Sequence, residues 1–134
     1  MLRRLILLIA LLGGCHAWAL TPEQAGRIAA GDSDDRVAAL NDAVAAGDTA
    51  LSPFIQAMLD DNDKVAGGKA FIVQGDKVVD AATGAAATLP ADAEDVVNNN
   101  RMRRELEAAL AVLKLVSPDV AVRRAAIAEL KDDV

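Results

Sequence analysis

The sequence predicts a mainly α-helical domain with a small β-hairpin insertion, and three observations predict this class. Five segments place apolar residues at helical spacing, and most of them begin behind a residue that can cap a helix. Two short runs rich in β-branched residues lie between the third and fourth segments, separated by Gly75-Asp76. The chain has 134 residues, which is room for about one domain of ordinary size.

The first nineteen residues have the pattern of an export signal. Arg3-Arg4 supplies a positive start, residues 5–12 form a short apolar run, and Ala17-Trp18-Ala19 is a small-x-small cleavage site. The apolar run is shorter than the about 20 residues that a membrane-spanning helix needs. The sequence therefore predicts a signal peptide over residues 1–19, with cleavage between Ala19 and Leu20.

A second interpretation of the leader stays open. Leu12-Gly13-Gly14-Cys15 resembles a bacterial lipobox, in which the cysteine is lipidated and becomes the first residue. This pattern predicts a lipoprotein, and a leader that is not cleaved predicts a membrane anchor. We expect cleavage after Ala19, because Ala17 and Ala19 fit a signal-peptidase site better than Gly13, at the second position, fits a lipobox.

The composition excludes several classes of function. Asp and Glu number 20 against 14 Lys and Arg, for a formal charge of −6, which argues against a nucleic-acid partner and against electrostatic binding to anionic lipid. Cys15, His16 and Trp18 are the only residues of their types. Cleavage after Ala19 leaves no Cys or His for thiolate or imidazole catalysis or for Cys/His zinc sites. We therefore expect no enzyme activity, no metal site and no cofactor.

Residues 20–63 are predicted as a first helical segment of three short helices. Thr21-Pro22-Glu23-Gln24 has the sequence of a capping box with proline at the first helical position. A second helix begins at Asp32 or Ser33, and Gly47 is placed to end it. The apolar face of the third helix consists of Phe54, Ile55, Met58 and Leu59.

Residues 64–97 are predicted as a β-hairpin and loop insertion. The runs 70–74 and 77–80 are rich in β-branched residues, and glycine at the first of the two positions between them suits a type II′ turn. Gly67-Gly68-Lys69 lacks the phosphate-loop pattern and is predicted as a hinge. The preceding Asp60-Asp61-Asn62-Asp63 lacks the ligand spacing of a calcium loop and is predicted as a solvated helix end.

Residues 98–134 are predicted as a second helical segment. Asn98-Asn99-Asn100 precedes a long helix, and Ser117-Pro118-Asp119 precedes a last one. Arg101, Arg103 and Arg104 lie near the start of the long helix. Local pairs four residues apart, Arg101–Glu105 and Arg103–Glu107, are expected to balance the first two.

A weak internal repeat relates the two helical segments. The run that begins Asp32…Arg36-Val37-Ala38-Ala39-Leu40 aligns with Asp119…Arg123-Arg124-Ala125-Ala126-Ile127 at an offset of 87. Half of that offset matches the roughly 40–47-residue period of HEAT and armadillo repeats. The sequence thus predicts HEAT-like helix pairs that are incomplete at the C-terminus, with Asp32, Arg36, Asp119 and Arg123 as capping and inter-helix structural residues.

Five stretches together resemble a known family. They are Gly31 through Leu40, Val65-Ala66-Gly67-Gly68-Lys69, Leu89 through Arg101, Arg103 through Leu110, and Leu115 through Asp119. The stretch L-P-A-D-A-E-D-V-V-N-N-N-R at 89–101 is the most specific of them. The chain resembles the N-terminal extracytoplasmic region of the bacterial urea ABC transporter permease subunit, of the branched-chain amino acid permease class.

The resemblance implies a role in urea uptake across the inner membrane. It implies a location on the periplasmic face, with the other permease subunit, the ATPase subunits and the substrate-binding protein as partners. In that family a membrane domain follows, so the second helical segment is expected to be truncated before any membrane domain, with membrane association through the missing downstream spans. The alternative is a free-standing periplasmic HEAT-like adaptor or lipoprotein that binds another protein.

Overall fold

The computed structural model describes residues 20–47 and 51–132, and this part of the chain has a mixed α/β fold. Its helices are α1 (Pro22–Ala29), α2 (Ser33–Ala45), α3 (Leu51–Leu59), α4 (Asn100–Leu115) and α5 (Val120–Asp132). Its strands are β1 (Asp63–Ala66), β2 (Lys69–Gln74), β3 (Lys77–Asp80) and β4 (Glu94–Asp95). The predicted leader, with Ala17 and Ala19, lies outside the described residues, whereas Leu20 is described and buried.

The predicted helix starts are confirmed where local chemistry decides them. Thr21 Oγ1 accepts from the Gln24 backbone N–H at 3.2 Å, and Gln24 Oε1 accepts from the Thr21 N–H at 3.0 Å, so the capping box is formed. Asp32 occupies the N-cap of α2, although its side chain makes no capping hydrogen bond. Gly47 follows α2 with a φ of 72°, the conformation for which glycine is favoured after a helix.

The sheet is larger than the predicted hairpin. Its four strands are all antiparallel in the order β3-β2-β1-β4. The hairpin of β2 and β3 is confirmed, and Gly75 at its turn has a φ of 60° as a type II′ turn requires. The expectation of a mainly α fold is corrected to mixed α/β because β1 and β4 were missed. Asp63–Ala66 begins with two charged residues and Glu94–Asp95 is two exposed acids, so neither has the apolar alternation that predicts a strand.

The Gly67-Gly68 segment is a tight turn and not the hinge that the sequence predicts. Both glycines have positive φ, 55° and 76°, and they join β1 to β2 as a two-residue hairpin loop. Helix α1 lies directly on this turn. A Cβ built on Gly26 would lie 1.9 Å from the Gly68 carbonyl oxygen, so only glycine allows this approach.

The core lies between the first four helices and one face of the sheet. Helix α4 packs against both α2 and α3, and α1 packs against α2 and β2. The largest fully buried apolar side chains are Ile28, Leu40, Leu51, Phe54, Ile55, Met58, Met102 and Leu106. Within residues 20–47 and 51–132, none of the helices has the length and apolar character needed to cross a membrane.

Candidate functional site

Two features outside the ordinary core are candidates for function. The first is an exposed apolar surface on α5 and the end of α4, which we call the α4–α5 face. The second is a buried polar cluster around Arg36 and Asp63. The α4–α5 face consists of Val112, Val116, Val120, Val122, Ile127 and Leu130, all of which are exposed.

Helix α5 buries very little of its own surface. It packs against α4, and Ala126 is its one buried residue within the described part of the helix. A groove of about 420 Å³ lies beside it, between α3, α4 and α5, with Pro53, Leu110 and Val122 among its lining residues. Six exposed apolar side chains on one pair of helices of a folded domain are typical of a place where another element packs.

Charged residues lie beside the α4–α5 face, and some of them join α4 to α5. Lys114 lies 3.8 Å from a Glu129 carboxylate oxygen across α4 and α5, and both side chains are solvent-accessible. Arg123 Nη1 donates to the Ser117 carbonyl at 2.6 Å, and Asp119 Oδ1 accepts from the Ala121 N–H at 2.8 Å. Arg123 and Asp119 are therefore structural residues of the α4–α5 connection.

Helices α2 and α5 align in the internal repeat, but their aligned residues differ in burial. Each has 13 residues and begins one position after the aligned aspartate, Asp32 or Asp119. Leu40 in α2 is 0% exposed, whereas the aligned Ile127 in α5 is 49% exposed. Helix α2 is covered by α1 on one side and α4 on the other, and α5 packs against α4.

The buried polar cluster is built on Arg36 of α2. Its Nε donates to the Ile28 carbonyl at 2.7 Å, Nη1 donates to the Val97 carbonyl at 2.8 Å, and Nη2 donates to Asn98 Oδ1 at 2.6 Å. Arg36 is buried, and desolvation lowers the pKa of its guanidinium while the charge of Asp63 raises it. The side chain therefore joins the end of α1 to the segment before α4, instead of pairing with Asp32.

The asparagines of the 89–101 stretch extend this cluster. Asn98 Nδ2 donates to the Met58 carbonyl at 3.0 Å at the end of α3. Asn99 caps α4 by accepting from the Met102 N–H at 2.8 Å, and its amide donates to Ser33 Oγ at 2.8 Å. Two adjacent asparagines thus connect α2, α3 and α4, a role that the sequence alone did not reveal.

The arginines near the start of α4 have distant partners, so the expected local pairs with Glu105 and Glu107 are wrong. Arg101 lies 2.6 Å from Asp34 of α2. Arg103 donates to both carboxylate oxygens of Asp61, at 2.7 and 2.8 Å, and to the Leu59 carbonyl at 3.1 Å. Both carboxylates come from parts of the chain that folding brings to the helix, which spacing along α4 cannot predict.

Asp63 is the residue whose position in the structure differs most from the sequence-based prediction. The solvated helix end predicted for 60–63 ends before Asp63, which begins β1 and is 2% exposed. Neither of its carboxylate oxygens has a hydrogen-bond partner. Burial raises the pKa of Asp63 to about 7, against the lowering effect of its own backbone N–H and of Arg36.

Nothing in the described part of the chain forms a group of three or more acidic, His or Cys side chains that could hold a metal ion.

Comparison with known proteins gives no match: no family model, no curated protein and no solved structure matches this sequence.

Proposed function

We propose that this chain is the exported N-terminal region of an ABC transporter permease for urea uptake, with a structural and docking role and no catalysis of its own. The observation that carries the docking role is the exposed α4–α5 face on a domain whose other helices are well packed. The identity of the transporter and of urea comes from the sequence resemblance.

The contrast between Leu40 and Ile127 supports the proposal that α5 belongs to a HEAT-like repeat. Position 40 is buried because helices pack on two sides of α2, and the aligned position 127 is half exposed. In stacked repeats each unit buries its apolar face against the next one. We therefore propose that a further helical element of the permease packs on the α4–α5 face.

The contacts of the 89–101 stretch give its unusual sequence a physical reason. Asn98, Asn99 and Arg101 each reach from the start of α4 to another helix. These bonds fix the direction in which α4 leaves the sheet, and α4 in turn carries α5. The stretch that supports the resemblance most strongly is thus the one that orients the proposed docking face.

The charge of the exported chain suggests a second kind of contact. Removal of Arg3 and Arg4 with the leader lowers the count of basic residues from 14 to 12, so the charge changes from −6 to −8. Such an acidic surface speeds association with a basic partner, and salt weakens the effect. We propose the substrate-binding protein of the transporter as that partner, on the periplasmic face of the inner membrane.

Site-specific photo-crosslinking in cells tests the docking role. A photo-reactive phenylalanine analogue at position 127 is expected to form an adduct with the downstream part of the permease or with another transporter subunit, identified by mass spectrometry. The matched control is the same analogue at Asp76, an exposed position in the β2–β3 turn. Equal adduct yields at 127 and 76, or adducts with no transporter component, would contradict the proposal and favour the free-standing adaptor.

A further inference from the structure

The backbone of Asp63 and the guanidinium of Arg36 both bind the segment that leads into α4. The Asp63 backbone carbonyl accepts from the Val96 N–H at 3.4 Å, and Arg36 Nη1 donates to the carbonyl of the next residue, Val97, at 2.8 Å. Arg36 Nη2 binds Asn98. Arg36 is close enough for its charge to lower the pKa of Asp63. Its guanidinium nevertheless donates to Ile28, Val97 and Asn98, and neither carboxylate oxygen of Asp63 has a hydrogen-bond partner.

An arrangement of this kind is stable only while the carboxyl is neutral. A buried carboxylate without hydrogen bonds is strongly disfavoured, so the group either keeps its proton or gains a cationic partner. Arg36 is the cation that faces Asp63 from α2. We propose that Arg36 and Asp63 form a pH-dependent switch, in which loss of the Asp63 proton draws the Nη groups of Arg36 away from Val97 and Asn98 and onto the carboxylate.

Val97 and Asn98 can lose their hydrogen bonds to Arg36 without leaving a buried acceptor unpaired. The bonds from Arg36 to the Val97 carbonyl and to Asn98 Oδ1 are only partly buried, so water can replace the guanidinium at both acceptors. The Nε bond of Arg36 to the Ile28 carbonyl involves a different part of the guanidinium and can persist in both states. The proton leaves for solvent, and the change is a side-chain rearrangement with a local effect on the start of α4.

The other charged groups near Asp63 are acidic, and both of them raise its pKa. Asp61, from the turn after α3, and Asp95, from β4, both raise the pKa of Asp63 by repulsion. Each is partly balanced by its own cation, Arg103 or Lys64. The remaining neighbours add no facing charge, since β2 places Ile72 opposite Asp63 and the charged residues of α1, Glu23 and Arg27, are exposed.

The pKa of Asp63, about 7, sets the range in which the switch operates. One pH unit on either side changes the ratio of ionised to neutral carboxyl by about tenfold. Between pH 6 and pH 8 the Asp63 side chain therefore changes from mostly neutral to mostly ionised. The attachment of α4 would therefore respond to pH within this range.

An NMR titration of the isotopically labelled chain from pH 5.5 to 8.5 tests the switch. The Asp63 carboxyl carbon, the Asn98 side-chain amide and the Arg36 Nη signals are expected to shift with one shared midpoint near 7. A midpoint below about 5 for Asp63 would overturn the proposal, because the carboxylate would then already be stabilised. A titrating Asp63 with an unmoved Asn98 amide would overturn it equally.

Two variants separate the switch from general electrostatics. Asp63→Asn keeps the size of the side chain and is expected to abolish the pH-dependent shift of the Asn98 amide. Asp95→Asn removes a neighbouring exposed charge, so the Asn98 shift is expected to persist with a lower midpoint. An Asn98 shift that survives in Asp63→Asn would contradict the proposal. If that variant does not fold, the titration of the natural chain decides alone.

Discussion

The guanidinium of Arg36 donates to the side-chain oxygen of Asn98 at 2.6 Å, across 62 positions of the chain. The same asparagine donates to the Met58 carbonyl at the end of α3. One amide side chain therefore joins α2, α3 and the segment before α4. This junction fixes how the second helical segment attaches to the first, and so it sets the position of the α4–α5 face.

Replacement of Asn98 should destabilise the domain strongly. Asn98→Ala removes an acceptor from a buried guanidinium and a donor from the Met58 carbonyl, and an unmade bond to a buried charged group is costly. We expect a loss of about 2–4 kcal/mol in the free energy of unfolding. Guanidinium chloride unfolding followed by circular dichroism measures it.

The matched control for that variant is Asn100→Ala. Asn100 is the exposed first residue of α4 in the same asparagine run, and its replacement should change the free energy of unfolding by no more than about 0.5 kcal/mol. Equal effects at positions 98 and 100 would contradict the role given to the Arg36–Asn98 bond.

Gly26→Ala should also destabilise the domain, for a steric reason. The new Cβ would overlap the Gly68 backbone oxygen, so α1 or the β1–β2 turn must move. Overpacking against backbone costs about 1–3 kcal/mol or more, which exceeds the about 1 kcal/mol that alanine gains over glycine inside a helix. The same unfolding measurement tests this, with the exposed Arg27→Ala as control. An unchanged or raised stability of Gly26→Ala would show that α1 does not lie on the turn.

Stability should fall as the pH rises from about 4 to about 7. The pKa of Asp63 is raised from 3.8 in the unfolded chain to about 7 in the folded one, so in this range the folded state binds more protons. The loss is as much as about 4 kcal/mol and is complete above pH 7, with less if Arg36 compensates the charge. Asp63→Asn should remove this slope and be the more stable variant at pH 8. Parallel pH profiles for the two chains would contradict the assignment.

The leader can be tested on the exported protein by intact mass and absorbance. Trp18 is the only tryptophan, there is no tyrosine, and Cys15 is the only cysteine. Cleavage before Leu20 predicts a chain with almost no absorbance at 280 nm and no thiol. Lipobox processing predicts retention of Trp18 with added lipid mass, and an uncleaved leader predicts Arg3-Arg4 as well. Tryptophan fluorescence from the exported form would contradict cleavage after Ala19.

The sequence predicts this fold best where short-range chemistry is sufficient. The capping box at Thr21, the helix end at Gly47 and the turn at Gly75 each depend on residues within four positions, and all three are formed. The composition of β1 and β4 does not predict strands, because these segments become strands through pairing with distant neighbours. Strand β1 pairs with a strand on each side, and β4 pairs with β1 alone.

The site was harder to predict than the fold for a related physical reason. Arg36 and Asn98, or Arg103 and Asp61, are tens of positions apart, and nothing in the spacing of either residue indicates its partner. The burial of Asp63 depends on elements far away in the sequence, since α1 packs on β1 and strands pair with β1 on both sides. Asp60 and Asp61, just before it, are exposed. The sequence indicates this site only through the family resemblance of the 89–101 stretch. The resemblance identifies the segment and does not predict its contacts.

We propose that the α4–α5 face is covered by another helical element in the intact transporter. Maleimide labelling tests this proposal: the labelling rate of Ile127→Cys is compared with that of Asp76→Cys, in the chain alone and in the complete permease with its partner subunits. We expect similar rates at both positions in the chain alone, where both are exposed. In the transporter, labelling at 127 should be at least about tenfold slower while labelling at 76 is unchanged, as burial of the face requires. Equal rates at the two positions in the transporter would show that no element covers the α4–α5 face.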